Sequence, residues 1–222
     1  IIRATNVLLA GKRVVIAGYG WCGKGVASRA KGLGSHVAVA EVDPVRALEA
    51  VMDGFAVGPM LRVAPTADII ITVTGSCSVV GRDVIKKLKH GCIIANSGHF
   101  DVEIDVASLK KMAKRSYASR EHVQSYELPG GKVINLLTDG RLVNLAAAEG
   151  HPSSVMDLSF AGQALSTEYL VKNRGALPPG VHRLPEALDQ KIASLKLASL
   201  GVKHDTLTKR QKEYLDSWGE GT

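Results

Sequence analysis

Apolar residues along this chain fall into short runs separated by amphipathic stretches. Arg13 to Ala17 (RVVIA), His36 to Ala40 (HVAVA), Asp68 to Val73 (DIIITV) and Cys92 to Ala95 (CIIA) are such runs. They are the length of strands, and their near-continuous apolar character is that of strands buried on both faces. Between them the spacing turns helical. One stretch runs from Gly23 to about Leu33 with Gly34 as its stop, and Pro44 opens another through Leu48 and Val51 to Gly54. Val84, Ile85 and Leu88 mark a short helix ending near Gly91. Ile2 to Ala10 also carries apolar residues at helical spacing and is expected to be a helix ending at Gly11. Strands and helices alternating in this way predict a doubly wound parallel sheet.

Beyond Val106 the pattern loosens. A helix marked by Leu109 and Met112 leads to Val123–Leu128, then a Pro-Gly-Gly turn at 129–131, then a strand at Val133–Leu137. The turn reads as a hairpin or loop between short strands. From Ser153 the chain is helical again, with Ser153 or Ser154 as the expected cap and Leu158, Ala161, Leu165 and Tyr169 on one face. Residues 173–180 read as a loop or linker. Leu188, Ile192 and Leu195 begin a last amphipathic helix stopped at Gly201, followed by a polar remainder from His204. These last pieces look like appendages that need another surface to pack on.

Composition narrows the classes. The chain has 222 residues, 45% hydrophobic and 22% charged, which are globular values and exclude a disordered chain. A net charge of +7 raises the question of nucleic acid, but the basic residues are spread along the chain and only 5% of residues are aromatic. Stacking platforms are therefore scarce, and no nucleic-acid partner is expected. No apolar run reaches the length of a membrane span, so no membrane partner is expected either. The three cysteines, Cys22, Cys77 and Cys92, have no CxxC spacing. They read as reduced, buried or half-buried thiols of a cytoplasmic protein, with no metal site. The first residue is Ile1 rather than Met, from which the chain is expected to be a piece of a longer protein.

Gly18-Tyr-Gly-Trp-Cys-Gly23 carries the clearest chemistry. GxGxxG alone is weak. Here it follows a predicted strand, opens a helix and is followed by Glu41 at the end of the next strand, the contexts that make it a dinucleotide fingerprint. Gly18 permits the tight turn, Gly20 lets the backbone approach a pyrophosphate, and Gly23 lets helix and strand pack closely. The helix N-terminus faces the phosphates. Glu41 can accept both ribose hydroxyls of the adenosine half, and its charge repels a 2′-phosphate, which favours NAD over NADP. The fold class is thus α/β, a Rossmann-type doubly wound parallel sheet with a helical C-terminal extension. Thr72 to Gly75, Asn96 to Asp101, Asn144 and His151 lie where later strand ends would line the nicotinamide side.

The segments AGYGWCGKG (17–25), AEVDP (40–44), NSGHFDVEID (96–105), LTDGRLVNLAAAEGHPSSVMD (137–157) and LDQKIASLKLASLGV (188–202) together resemble the S-adenosylhomocysteine hydrolase family. The resemblance runs from Ile2 to about Asp216. It implies an NAD-binding Rossmann domain at 1–150. It also implies a helical segment at 151–222 that would return to a substrate domain and an oligomer interface. The implied reaction is reversible hydrolysis of S-adenosyl-L-homocysteine to adenosine and L-homocysteine through transient oxidation of the ribose 3′-hydroxyl, in a cytoplasmic homotetramer. The cofactor-binding residues it implies are Gly18, Gly20, Trp21, Cys22, Gly23, Lys24, Gly25, Glu41, Arg46, Thr74, Ser97, Gly98, His99, Asn144 and His151. Asn144 would address the nicotinamide carboxamide, and His99 and His151 would lie on the substrate side. His36, His90, His122, His182 and His204 read as surface or satisfied residues. Asp101 and Glu103 read as helix entry or a structural ion pair rather than an acid–base pair.

Three departures from the family pattern stand out. Trp21-Cys22 replaces its usual Asp-Val, and Arg46 stands where Asn is common. An Arg beside the ribose is a device of NADP enzymes. The third is that the family's lysine and acidic residues for the 3′-hydroxyl and 4′ proton lie in a domain before this sequence begins. The family's Lys- and Tyr-containing closing tail is likewise not found at 218–222. The chain alone is therefore expected to bind NAD without catalysing hydrolysis, with His99 at most supporting. Two alternatives share the architecture: a non-catalytic NAD-binding regulatory module, and a D-2-hydroxyacid dehydrogenase-like oxidoreductase.

Overall fold

The chain is described by a computed structural model over residues 1–217. The end at 218–222, where the closing tail is missed, lies outside the described residues. Two compact units emerge, residues 1–150 and 151–222.

The first unit begins with α1 (Ile2–Thr5), β1 (Arg13–Ala17), α2 (Trp21–Gly32), β2 (His36–Ala40), α3 (Pro44–Met52), β3 (Ala56–Val57) and α4 (Met60–Val63). It continues with β4 (Ile69–Thr72), α5 (Arg82–Lys87), β5 (Cys92–Asn96), α6 (Val106–Met112), β6 (Arg115–Arg120), β7 (Val123–Glu127), β8 (Val133–Leu137) and α7 (Val143–Ala146). The strands form one eight-stranded sheet in the order β3-β2-β1-β4-β5-β8-β7-β6. Pairing is parallel from β3 across to β8 and antiparallel at β7 and β6. The order reverses beside β1. In open α/β sheets ligands bind at such a reversal, beyond the carboxyl ends of the strands.

Strand periodicity divides the core. Val14, Ile16, Ile69 and Ile71 face one side of the sheet, where Ala27 and Ala30 of α2 and Ala50 of α3 cover them. Val15, Ile70, Ile94 and Leu136 face the other, against Val84 and Ile85 of α5 and Leu109 of α6. Both faces of β1, β4 and β5 are therefore dry. Pure apolar runs suit that position and alternating ones do not.

The expected helix over Ile2–Ala10 is a single turn. Asn6 adopts the left-handed conformation at φ 55°, which Asn tolerates better than other side chains. β2 is less buried than its apolar run suggests, with His36 exposed and Val39 as its buried residue. β6 is exposed along its length. It pairs with β7 as the edge of the sheet, its charged side chains discouraging further strand addition.

The second unit holds α8 (Ser153–Lys172), α9 (Glu186–Ser199) and α10 (Lys209–Leu215), none of which contains a buried residue. α8 and α9 pack together where a Cβ on Gly162 would lie 4.0 Å from Ile192, and Lys196 pairs with Asp157 at 2.7 Å. Pro152, not Ser153 or Ser154, occupies the N-cap of α8, and no side chain caps it. α10 lies in the stretch read from the sequence only as a polar remainder, and a Thr208–Gln211 capping box starts it. Among the described residues no helix is long and apolar enough to cross a membrane.

Candidate dinucleotide site

The reversal beside β1 opens into a crevice of about 930 Å³ bounded by Gly18–Cys22, Ala40–Asp43, Arg46, Val57–Met60 and the loop after β4. Close backbone packing builds it. Gly18 holds φ +103°, and a Cβ on Gly23 would run into the Gly18 carbonyl oxygen. No larger residue fits Gly23 while α2 keeps its approach to β1. Gly20 is the N-cap of α2 and no side chain caps that end. The first-turn N–H groups are thus left for a ligand, at the positive end of the helix dipole.

Glu41 ties the two sides together. Its carboxylate accepts the Tyr19 N–H at 2.6 Å, the Val42 N–H at 2.6 Å and the Asp43 N–H at 3.0 Å. Burial alone would raise its pKa. The amides of Asp43, Tyr19 and Val42 and the charge of Arg46 outweigh burial and hold it below the usual carboxylate value. Three of the roughly four acceptor positions of a carboxylate are thus engaged, leaving about one for a ribose hydroxyl rather than two. Beneath the loop, Tyr19 is buried, with its hydroxyl donating to Asp53 at 2.6 Å and its ring edge-on to Phe55.

Trp21 is 92% exposed at the mouth of the crevice, with the Lys24 ammonium 5.5 Å from its ring centroid. Lys24 and Gly25 lie within the first turns of α2. Lys24 pairs with Glu49 of α3 at 2.8 Å, and Gly25 has open space around its Cβ position. Cys22 is exposed, and its sulfur lies 4.0 Å from the Ser97 hydroxyl, which joins the end of β5 to the glycine-rich loop. Cys77 is exposed as well, and only Cys92 is buried. The expectation of three buried or half-buried thiols holds for that one alone, because Cys22 lies on the exposed first turn of α2 and Cys77 in the loop after β4.

The loop after β5 is shaped by two residues with no assigned chemistry. Asn96 is fully buried; its amide donates to the Phe100 and Gly140 carbonyls and its oxygen accepts the Gly98 N–H at 2.7 Å. Glu103 is 1% exposed. It is neither a helix entry, since Asp105 caps α6, nor part of any ion pair among the described residues. It accepts hydrogen bonds from Thr74 and Gly75 instead, and it fills the space a Cβ on Gly98 would need. Its burial was hidden in the sequence because neighbouring acids, Asp101 and Asp105, look alike.

His99 is exposed, edge-on to Phe100 at 4.6 Å. It lines a separate cleft of about 450 Å³ with Arg141, Leu142 and Leu145. Asn144 lies close by in sequence, two residues past Leu142, which bridges to Asn96 at the end of β5. Among the described residues Asn144 Oδ1 is the buried side-chain polar atom without a hydrogen-bond partner, a state that costs about 1–3 kcal/mol unless a ligand donor meets it. His151 is exposed and opens the second unit.

A glycine turn, an uncapped helix N-terminus, an acidic residue at the next strand end and an orphaned amide oxygen beyond β5 fit a dinucleotide. They define a dinucleotide-binding α/β domain. Residues 1–150 match the family model described as S-adenosyl-L-homocysteine hydrolase, NAD binding domain, and the chain belongs to the S-adenosyl-L-homocysteine hydrolase family, with NAD as the cofactor of this domain. Adenosylhomocysteinase of Thermosynechococcus vestitus is 60% identical over all 222 residues, which cover 52% of its length. That of Gloeobacter violaceus is 56% identical with the same coverage, and that of Sulfurisphaera tokodaii 55% identical with 54% of its length covered. The chain spans about half the length of the curated relatives it matches. Among solved structures, a dipicolinate synthase chain from Bacillus halodurans shares a TM-score of 0.46 at 18% identity, over 50% of this chain and 38% of its own.

Proposed function

We propose that this chain is the cofactor-holding half of an adenosylhomocysteinase, which reversibly hydrolyses S-adenosyl-L-homocysteine to adenosine and L-homocysteine in the cytoplasm as a homotetramer. The observation that carries the reading is the crevice at the strand-order reversal, closed by Gly18 against Gly23 and anchored by Glu41. NAD, when bound, supplies a hydride acceptor for the ribose 3′-position, so a net hydrolysis proceeds on a dehydrogenase's fold.

In this proposal the residues of the chain bind and orient. The α2 amides at Trp21, Cys22 and Gly23 receive the pyrophosphate, the remaining acceptor position of Glu41 takes a ribose hydroxyl, and Val57, Pro59 and Met60 offer an apolar wall to adenine. Thr74 and Ser97 flank the path to the nicotinamide, whose carboxamide N–H answers Asn144 Oδ1. Gly98 and His99 follow on the loop pinned by Asn96, and His151 joins the set by resemblance alone. The second unit, with no buried residue in its three helices, is assigned to packing on the substrate domain and on a neighbouring protomer.

The test uses the full-length protein carrying this chain. Stripped of NAD, it is expected to lose release of adenosine and homocysteine and regain it when NAD is returned, while residues 1–222 alone with NAD release neither. Undiminished hydrolysis by the stripped protein would overturn the proposal.

A further inference from the structure

Arg46 acts on Glu41 through its charge, but no hydrogen bond among the described residues fixes where its guanidinium lies. It sits in the first turn of α3, two residues after Pro44, where a cation meets the unfavourable positive end of the helix dipole. Its Nε lies 3.6 Å from Asp43, and among the described residues its guanidinium makes no hydrogen bond. One terminal nitrogen, Nη1, instead lies 3.7 Å from where a Cβ on Gly20 would stand. The guanidinium therefore reaches across the crevice from α3 to the N-cap of α2.

The charge balance of the crevice sharpens the point. Its charged lining residues are Glu41, Asp43 and Arg46, so Arg46 is the one cation among the described residues that line it. Lys24, in the first turn of α2, pairs with Glu49 of α3 instead. A dinucleotide brings two negative charges in its pyrophosphate, and Gly20 is the glycine at which that pyrophosphate approaches the backbone.

We propose that Arg46 contacts the cofactor's pyrophosphate from above Gly20, adding charge-assisted hydrogen bonds to those of the α2 amides. The proposal rests on NAD occupying this crevice. It makes Arg46 a determinant of affinity for the phosphate portion of the cofactor and not of the choice between NAD and NADP. A 2′-phosphate at the Glu41 ribose edge would face two carboxylates, Glu41 and Asp43, against one guanidinium.

Calorimetric titration of the 222-residue chain with NAD, NADP, ADP-ribose and adenosine tests it, with Arg46→Asn and Arg46→Lys compared with the unsubstituted chain. Thermal unfolding of each variant reports folding. For Arg46→Asn, NAD and ADP-ribose are expected to bind at least about tenfold more weakly, the scale of one lost charge-assisted contact. Adenosine affinity and the NAD-to-NADP ratio are expected to hold, and the salt dependence of NAD binding to flatten. Arg46→Lys is expected to recover part of the loss. Equal weakening of NAD and adenosine, a loss confined to NADP, or unchanged NAD affinity in Arg46→Asn would each overturn the proposal. No NAD binding by the unsubstituted chain would instead overturn the reading on which it rests.

Discussion

Thr74 donates twice to one oxygen of the Glu103 carboxylate, from its hydroxyl at 2.6 Å and from its backbone N–H at 3.0 Å. The other oxygen accepts the Gly75 N–H at 2.8 Å. One buried acid thereby fixes the loop after β4 and, by filling the space beside Gly98, the loop after β5. Glu103→Ala leaves these donors unpaired, at roughly 1–3 kcal/mol for each that stays buried. Thermal unfolding is expected to fall by about 2–4 °C per kcal/mol lost, with NAD affinity reduced in the variant while it is still folded. Thr74→Val, which removes the hydroxyl alone, is expected to show a smaller loss of the same kind.

Two glycines in one helix are expected to behave oppositely. Gly23→Ala forces a methyl group onto the Gly18 carbonyl oxygen, so α2 is pushed off β1 and NAD binding is lost. Gly25 has open space about its Cβ position, and Gly25→Ala is expected to stabilise the helix by about 0.5–1 kcal/mol. Urea unfolding paired with NAD titration separates the two.

Thiol chemistry follows exposure. Burial pushes the Cys92 thiol up to about 12, against a more modest opposing influence of Lys89, so it stays protonated and shielded at pH 8. Cys22 and Cys77 are exposed. Mass spectrometry after brief alkylation of the native protein is expected to find both of these modified and Cys92 intact, with NAD protecting Cys22 more than Cys77.

Asp68 gives the fold a pH dependence. Burial alone would raise its pKa, but the hydrogen bond and charge of Lys89, the Arg13 N–H and the charge of Lys12 together lower it. A carboxyl whose folded pKa is depressed contributes stability that is present above its unfolded value of about 3.9 and lost as pH falls through the folded value. Asp68→Asn is therefore expected to lower the urea midpoint at pH 7, and the gap from the unsubstituted chain to close as pH falls below about 4. A gap that widens in acid would contradict this assignment.

The parallel sheet was legible because strands buried on both faces must be apolar throughout, and Val14, Val15, Ile16 and Ile69 to Ile71 are. The glycine turn was legible because backbone clearance, not side-chain chemistry, sets those positions. β6 was not: Arg115–Arg120 lies exposed on both faces, so its strand state comes from pairing with β7 and leaves no hydrophobic period. α10 was hidden likewise, held by a local capping box rather than by burial. Asn96 and Glu103 went unread as the organisers of two site loops, since their partners are backbone groups brought close only by the fold.

The central claim is that the crevice beside β1 holds NAD. Calorimetric titration of NAD into residues 1–222 tests it most directly, with Glu41→Ala alongside. One NAD bound per chain, weakened at least about tenfold in Glu41→Ala by loss of a ribose acceptor and of the anchor on Tyr19, is the result expected. An absence of saturable binding, or binding undisturbed by that substitution, would contradict it.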